Sequence, residues 1–379
     1  MDRAADVLVR GAGVVGLCAA LALSRQGLQV ALLGRLAEPA AGQDDPRAYA
    51  LNAASVRLLA ALKVWEAIPP EARTAVHEMR VHGDAPGAVL EFSAWSQSLA
   101  ELAWIVEAAE LERALRAALK FAPHVTPVAS EVPAALQVLA GGRDGAVPGH
   151  LGVRLQHQGY GQTALAAVLR SDRPHAGLAS QWFRSPDVLA LLPLQRPLAD
   201  DGRPGQALGL VWSVPDARAR SLLEMPEADF DAALNDATAG EAGTLALAGP
   251  RRSWPLALAR AEATAGPGWV LVGDAAHVVH PLAGQGLNLG LGDVAELARV
   301  LAERQAREPW RPLGDARLLA RYARARRAPV QAMAAVTDGL LQLFASPGPV
   351  VRELRNRGLG LIDRLAPLKR ALARQALGD

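Results

Sequence analysis

Between Asp6 and Leu33 the chain passes through a strand-like segment, the turn Gly11-Ala12-Gly13-Val14-Val15-Gly16, an apolar helix-like segment and a second strand-like segment, and few folds accept that order. The spacing predicts a strand over residues 6–10, a helix from about Val14 to Gln26 closed by Gly27, and a strand from Leu28 to Leu33. The three glycines of G-x-G-x-x-G permit a tight turn, the close approach of a pyrophosphate, and close packing of helix on strand. A βαβ unit of this kind opens a Rossmann-type domain that binds a dinucleotide. A glycine-rich βα turn that binds nothing is the alternative reading of the same residues.

A second motif lies near the other end. Trp269 to Val272 has the length and branching of a short buried strand, and Gly273-Asp274 follows it. A Pro- and Gly-rich stretch then leads to apolar residues at helical spacing, Val294, Ala295, Leu297, Ala298 and Leu301. A strand, a loop and a helix N-terminus in this order suit a phosphorylated or polyhydroxylated ligand. Asp274 offers acceptors for hydroxyls, and the N–H groups around Gly286 to Asn288 offer donors for negative charge.

Between these motifs the pattern predicts a helix over about Ala53–Leu62, strand-like residues 76–105, and a helix over about Glu107–Leu119. Residues 122–152 read as loop. Short strands at Thr163–Leu169, Val188–Leu192 and Ala207–Val214 with one helix near Met225–Thr238 suggest an antiparallel sheet with a covering helix. Helices are expected from Val294 onward. The expected fold is α/β: a discontinuous Rossmann-type domain (residues 1–75, 106–155 and 263–325) interrupted by an antiparallel-sheet substrate domain (76–105 and 156–262). A helical C-terminal region (326–379) completes it, and a ligand cleft lies where the two domains meet.

Composition excludes several classes. A net charge of +2 over 379 residues is no polyanion-binding surface, so nucleic acid is not expected as a partner. Cys18 is the single cysteine, which removes disulfide frameworks and multi-cysteine metal sites and fits a reducing compartment. The N-terminus carries acid at Asp2 and Asp6, where a secretory signal would be basic and apolar, and no uncharged apolar run spans a bilayer. The expectation is a cytoplasmic protein, soluble or peripheral to the inner membrane.

With both glycine motifs placed, the chain resembles the FAD-dependent aromatic hydroxylases of the para-hydroxybenzoate hydroxylase fold, and among them the ubiquinone-biosynthesis hydroxylases. The resemblance runs through Gly11 to Gly16, Arg47 to Leu51, Tyr160-Gly161-Gln162, Leu189 to Leu194, Ser253-Trp254-Pro255-Leu256 and Gly273 to Gly290. It continues through Tyr322 to Arg327 and Leu359 to Arg370. It implies that Gly11, Gly13, Val14, Val15 and Gly16 hold the FAD pyrophosphate and that Asp274 binds the ribityl chain. Pro281, Gly284, Gln285, Gly286, Leu287 and Asn288 would lie against the isoalloxazine ring, with Arg47 near cofactor and substrate. Pro281, Gly284, Gln285 and Arg47 are then the residues at the reacting centre.

The implied reaction uses NAD(P)H as co-substrate to reduce FAD, and O2 to form a flavin C4a-hydroperoxide that hydroxylates a phenol, here a polyprenylated one. The protein positions and dries such a site rather than supplying a side-chain triad. Two other readings stand beside this one: a flavin hydroxylase of another aromatic metabolite, and a non-catalytic accessory or binding protein on the same fold. Three positions depart from the family pattern. Gly34 stands where an acid grips the adenosine ribose, and Arg10 replaces a small apolar residue. Asp144-Gly145 survives from a mid-chain motif in which Pro148 and His150 replace Ser and Arg.

Several side chains carry a ligand reading and a structural one. His277 and His280 flank the second motif without a third metal ligand nearby, so no metal site is expected; packing beside the cofactor and fixing the turn into Pro281 are their roles. His82, His157 and His175 are either substrate-domain ligands or structural histidines. Tyr160 and Gln162 either line the cavity or support the strand. Trp212 and Trp254 either face the aromatic substrate or fill core. Cys18 reads as a buried inert thiol. The tail from Val350 to Asp379 interleaves Arg352, Arg355, Arg357, Arg364, Lys369, Arg370 and Arg374 with leucines. It reads as a docked basic helix or as a surface for anionic lipid or a ubiquinone-biosynthesis protein.

Overall fold

The computed structural model describes residues 5–36, 45–83, 88–142, 148–198, 205–278 and 285–345. The elements begin with β1 (Ala5–Arg10), α1 (Val14–Ser24), β2 (Val30–Leu33), β3 (Ala48–Leu51), α2 (Ala53–Ala61), β4 (Arg73–Val76), β5 (Glu78–His82) and β6 (Val89–Ser93). They continue with β7 (Ala103–Glu107), α3 (Ala108–Leu119), β8 (Val125–Val128), β9 (Ala134–Leu139), β10 (Leu155–Ser171), β11 (Leu178–Arg184), β12 (Asp187–Leu194) and β13 (Ala207–Pro215). Next come α4 (Asp216–Glu224), α5 (Glu227–Thr238), β14 (Leu245–Leu247), β15 (Arg252–Ala261), β16 (Ala265–Gly266), β17 (Trp269–Leu271) and β18 (His277–Val278). Two long helices follow, α6 (Gln285–Arg307) and α7 (Ala316–Ala345).

The first sheet has the order β16-β17-β9-β1-β2-β8. Its β17–β9, β9–β1, β1–β2 and β2–β8 pairs are parallel. Strands of this kind are apolar on both faces because helices cover them. Val7, Val9, Leu136 and Val138 share one core with residues of α1, α3, α6 and α7. The second sheet is nine-stranded, β18-β15-β10-β13-β12-β11-β5-β6 with β14 beside β10. Helices α4 and α5 close one face, with Leu222 of α4 and Phe230 and Leu234 of α5 in one core with Trp212. A small sheet, β3-β7-β4, stands apart from these two in its pairing.

The α/β class and the opening βαβ unit are as the sequence implies. The segment expected as loop, 122–152, instead contains β8 and β9, and β9 is the central neighbour of β1. Its six residues are too few to show a period, and an interior parallel strand has no polar face to alternate with. The helix expected near Met225–Thr238 is α5, and a second helix, α4, precedes it. Helix α1 ends at Ser24 with Arg25 as its cap, and Gly27 sits beyond it in the turn at φ +81°. Helix α6 starts at Gln285, nine residues ahead of Val294, because Gly286, Gly290 and Gly292 interrupt the apolar period. Helix α7 runs unbroken through residues 325 and 326, where a domain boundary was expected. No helix of the described residues is long and apolar enough to cross a membrane.

Candidate functional site

The C-terminal ends of β1, β9 and β17 converge on the glycine turn. Gly11 N–H donates to Leu33 O at 2.8 Å, and Ala140 N–H to Arg10 O at 2.7 Å. Gly11 has φ +119°, and a Cβ there would stand 2.2 Å from Ala140 O; a Cβ at Gly16 would stand 1.9 Å from Gly11 O. Both glycines are therefore demanded by the protein's own packing. Gly13 differs: it caps α1, it is exposed, and a Cβ there would meet no atom within 4 Å. The turn thus presents an open backbone edge at the N-terminus of α1, where N–H groups have no partner within the helix.

The second motif lies against the first. Positions for a Cβ at Gly273 and Gly290 are 3.2 Å and 2.8 Å from the Val15 side chain, so α1, α6 and the Gly273 turn close around Val15. Gly273 to Val278 is buried except Asp274, whose side chain alone is exposed. The turn is tied down on the protein side. Asp293 Oδ2 accepts Gly273 N–H at 2.9 Å and His277 Nε2 at 2.7 Å, while Asp293 Oδ1 accepts Arg326 Nε at 2.6 Å. Burial raises the Asp293 pKa, but His277 and Arg326 outweigh it and hold the carboxyl below its ordinary value. Tyr322 Oη donates to Leu271 O at 2.7 Å, fixing the end of β17 from α7.

Gln285, Gly286, Leu287 and Asn288 form the first turn of α6, as the second motif requires. The Asn288 side chain does not point to a ligand. Its Oδ1 accepts Asn52 N–H at 3.0 Å and Ser55 Oγ at 2.7 Å, and its Nδ2 donates to Ala50 O at 2.8 Å and Gln285 Oε1 at 3.3 Å. The side chain therefore staples α6 to the junction of β3 and α2. What this turn can offer a ligand is its backbone N–H groups and the positive end of the helix.

Arg47 enters from the loop before β3. Its guanidinium is held by Asp45, with Nε at 2.8 Å and 2.9 Å from the two carboxylate oxygens, and it stands 5.3 Å over the Trp254 ring on β15. The Asp45 hydrogen bonds raise the Arg47 pKa further, so the side chain is a permanent cation. Tyr49 is part of the same field: burial pushes its phenol up to about 12, opposed by Arg47 and reinforced by Glu112, Asp45 and Asp274. Arg47 and Asp274 thus both act on Tyr49, which places the loop before β3 near the Gly273 turn.

Two departures from the family pattern have structural reasons. A Cβ at Gly34 would stand 2.8 Å from both N and Cβ of Ala12, so the glycine turn itself packs on the position of the missing acid. Arg10 is paired with Glu131 at 3.0 Å. Asp144-Gly145, Pro281, Gly284, His280 and the basic tail lie outside the described residues, and so do the side chains of His150 and His157.

Other candidates resolve into structural parts. Trp212 is fully buried under α5 with its ring 6.1 Å from Phe230, so it fills core and does not face a ligand. His82 is buried, stacked on Trp182 at 4.9 Å and paired with Glu241 at 2.9 Å. His175 binds Leu194 O and Gly177 N–H, closing a turn. Gln162 donates to Pro186 O, and Cys18 is buried with its thiol pKa raised by burial. A groove of about 570 Å3 lined by Pro70, Arg73, Trp104 and Pro197 shares no residue with the two motifs. We place the site at the motifs, because the groove borders neither of them. Asp293 and Arg326 escape sequence reading, since a charge within an amphipathic helix normally marks its solvent face.

Comparison with known proteins supports the same assignment. The model of the family described as FAD binding domain matches residues 4–191 and 131–337. Ubiquinone hydroxylase UbiL of Rhodospirillum rubrum is 33% identical over 403 residues, covering 100% of this chain and 90% of that one. The 3-demethoxyubiquinol 3-hydroxylase of Escherichia coli is 31% identical over 415 residues, covering 100% and 99%. The crystal structure of PqsL from P. aeruginosa, in complex with 2-aminobenzoylacetate, shares the fold at a TM-score of 0.75 and 21% identity, covering 94% of this chain and 100% of that one.

Proposed function

Because the chain belongs to the FAD-dependent aromatic hydroxylases, within the branch of the ubiquinone-biosynthesis hydroxylases, we propose that it hydroxylates a polyprenylated phenol with NAD(P)H and O2 as co-substrates. The observation that carries this reading is the pairing of an open Gly13 edge with an exposed carboxylate at Asp274, joined through Val15. These residues fit FAD: backbone donors for its pyrophosphate, an acceptor for its ribityl hydroxyls, and a helix N-terminus for negative charge.

In this reading Gly11, Gly13, Val14, Val15 and Gly16 hold the pyrophosphate, and Asp274 accepts from the ribityl hydroxyls. The N–H groups of Gln285 to Asn288, with Pro281 and Gly284 before them, border the ring. Bound FAD supplies the redox chemistry that links NAD(P)H to O2. The protein orients the aromatic ring, excludes water and places the Arg47 cation beside the site. Residues 1–75, 106–155 and 263–325 serve as the cofactor domain, and 76–105 and 156–262 carry the substrate. The basic tail brings the protein to the membrane where a polyprenylated substrate resides.

The test is direct. Protein loaded with FAD is bleached by NADPH without oxygen and reoxidised by O2, and cells lacking the gene accumulate an under-hydroxylated prenylphenol. Protein that takes up no FAD refutes the enzyme assignment; unchanged quinones refute the substrate. Asp274→Ala reduces FAD occupancy in an intact fold, and full flavin retention refutes its role.

A further inference from the structure

Asp293 is buried, only 1% exposed, yet it organises the turn that carries the exposed Asp274 side chain. Its Oδ2 accepts from Gly273 N–H at 2.9 Å and from His277 Nε2 at 2.7 Å. Those two residues stand immediately before and three positions after Asp274. A single carboxylate oxygen therefore grips both ends of the turn that carries Asp274. The turn is closed internally by Ala276 N–H to Gly273 O at 2.8 Å, so with its ends fixed it has little freedom left.

A buried carboxylate in this position needs a counter-charge, because an unpaired one costs several kcal/mol. Arg326 supplies it from α7 at 2.6 Å and donates onward to Leu289 O at 3.0 Å. Gly292 makes room for it: a Cβ there would lie 3.0 Å from the guanidinium. Two segments, the Gly273 turn and α7, thus converge on Asp293 of α6. A plain packing role needs no charge here, and an apolar side chain would do it at lower cost.

We infer that Asp293 is the positioning residue of the cofactor site, holding the Asp274 carboxylate in its binding geometry through Gly273 and His277. The inference rests on the reading of Asp274 as the ribityl ligand. Asparagine cannot replace Asp293, because its amide N–H2 would face Gly273 N–H, His277 or Arg326, donor against donor.

The test is FAD titration of the full chain stripped of flavin, followed by fluorescence quenching, with visible circular dichroism of the bound flavin. Asp274→Ala is expected to weaken FAD binding about 10- to 100-fold, as for a charge-assisted contact. Asp293→Asn should weaken it about tenfold and change the dichroic band, and the double variant should bind as weakly as Asp274→Ala alone, within about threefold. Losses that multiply in the double variant overturn the inference. So does wild-type affinity in Asp293→Asn beside a weakened Asp274→Ala. Wild-type affinity in Asp274→Ala refutes the ribityl reading and this inference together. Should Asp293→Asn fail to fold, His277→Leu leaves the Asp293–Arg326 pair intact. It is expected to weaken FAD binding three- to tenfold without adding to Asp274→Ala; wild-type affinity there overturns the inference.

Discussion

Arg47 stands 5.3 Å over the Trp254 ring while Asp45 accepts from its guanidinium at 2.8 Å. This contact joins the loop before β3 to β15 of the large sheet, and it fixes where a permanent cation meets an aromatic wall. A partly exposed cation–π pair contributes about 0.5–1 kcal/mol, and the half-exposed Asp45 pair adds no more than about 1. The arrangement orders a site more than it stabilises the fold.

Trp254→Phe should keep activity within about twofold, since the ring face survives. Trp254→Leu should raise the KM for the aromatic substrate about two- to fivefold, with FAD affinity unchanged. Steady-state kinetics beside FAD titration separates the two; a loss of FAD binding in Trp254→Leu contradicts the placement.

Gly13 and Gly16 should answer alanine in opposite ways. Gly16→Ala puts a Cβ 1.9 Å from Gly11 O and should destabilise the flavin-free protein by about 3 kcal/mol or more. Gly13→Ala meets no protein atom, so its stability cost should stay under about 1 kcal/mol while FAD affinity falls at least about tenfold. Urea unfolding and FAD titration on both variants decide it.

Asn288→Ala leaves Ser55 Oγ, Asn52 N–H and Ala50 O without their partner in a buried place. Each lost contact costs about 1 kcal/mol or more, so the flavin-free protein should lose about 2–4 kcal/mol in urea unfolding. A stability loss that appears only with FAD bound would show that Asn288 acts on the ligand and not on the staple.

Tyr49 gives the protein an alkaline liability. Its phenol is raised from 10.0 to about 12 in the folded state. The proton is held more tightly folded than unfolded, so the associated stability is full below pH 10 and is lost as pH rises through about 12. The span amounts to about 2–3 kcal/mol at most. Lysine occurs only at positions 63, 120 and 369, so few other bases titrate in this window, and Tyr322 is raised as well. Tyr49→Phe should flatten the fall in unfolding midpoint between pH 10 and pH 12; an unchanged slope contradicts the shift.

The local sequence alone carried the two glycine motifs, the βαβ opening, the α/β class and the carboxylate that follows Gly273. Those features are local: a turn that needs φ above zero, a strand too short for anything else, a helix start. Position 273 is glycine, and its φ of +63° is one that other residues rarely adopt. The tertiary structure decided the rest. Strand β9 showed no period because its neighbours on both faces are protein. Asn288, read as a ligand-facing residue, became a staple because α2 arrives beside it from 233 residues away. Trp212 went to the core because α5 covers it. Asp293 and Arg326 looked like solvent charges on amphipathic helices until α6 and α7 packed their faces onto the Gly273 turn. Burial and partners 20 and 33 residues distant decide the state of those charges, and no local pattern encodes either.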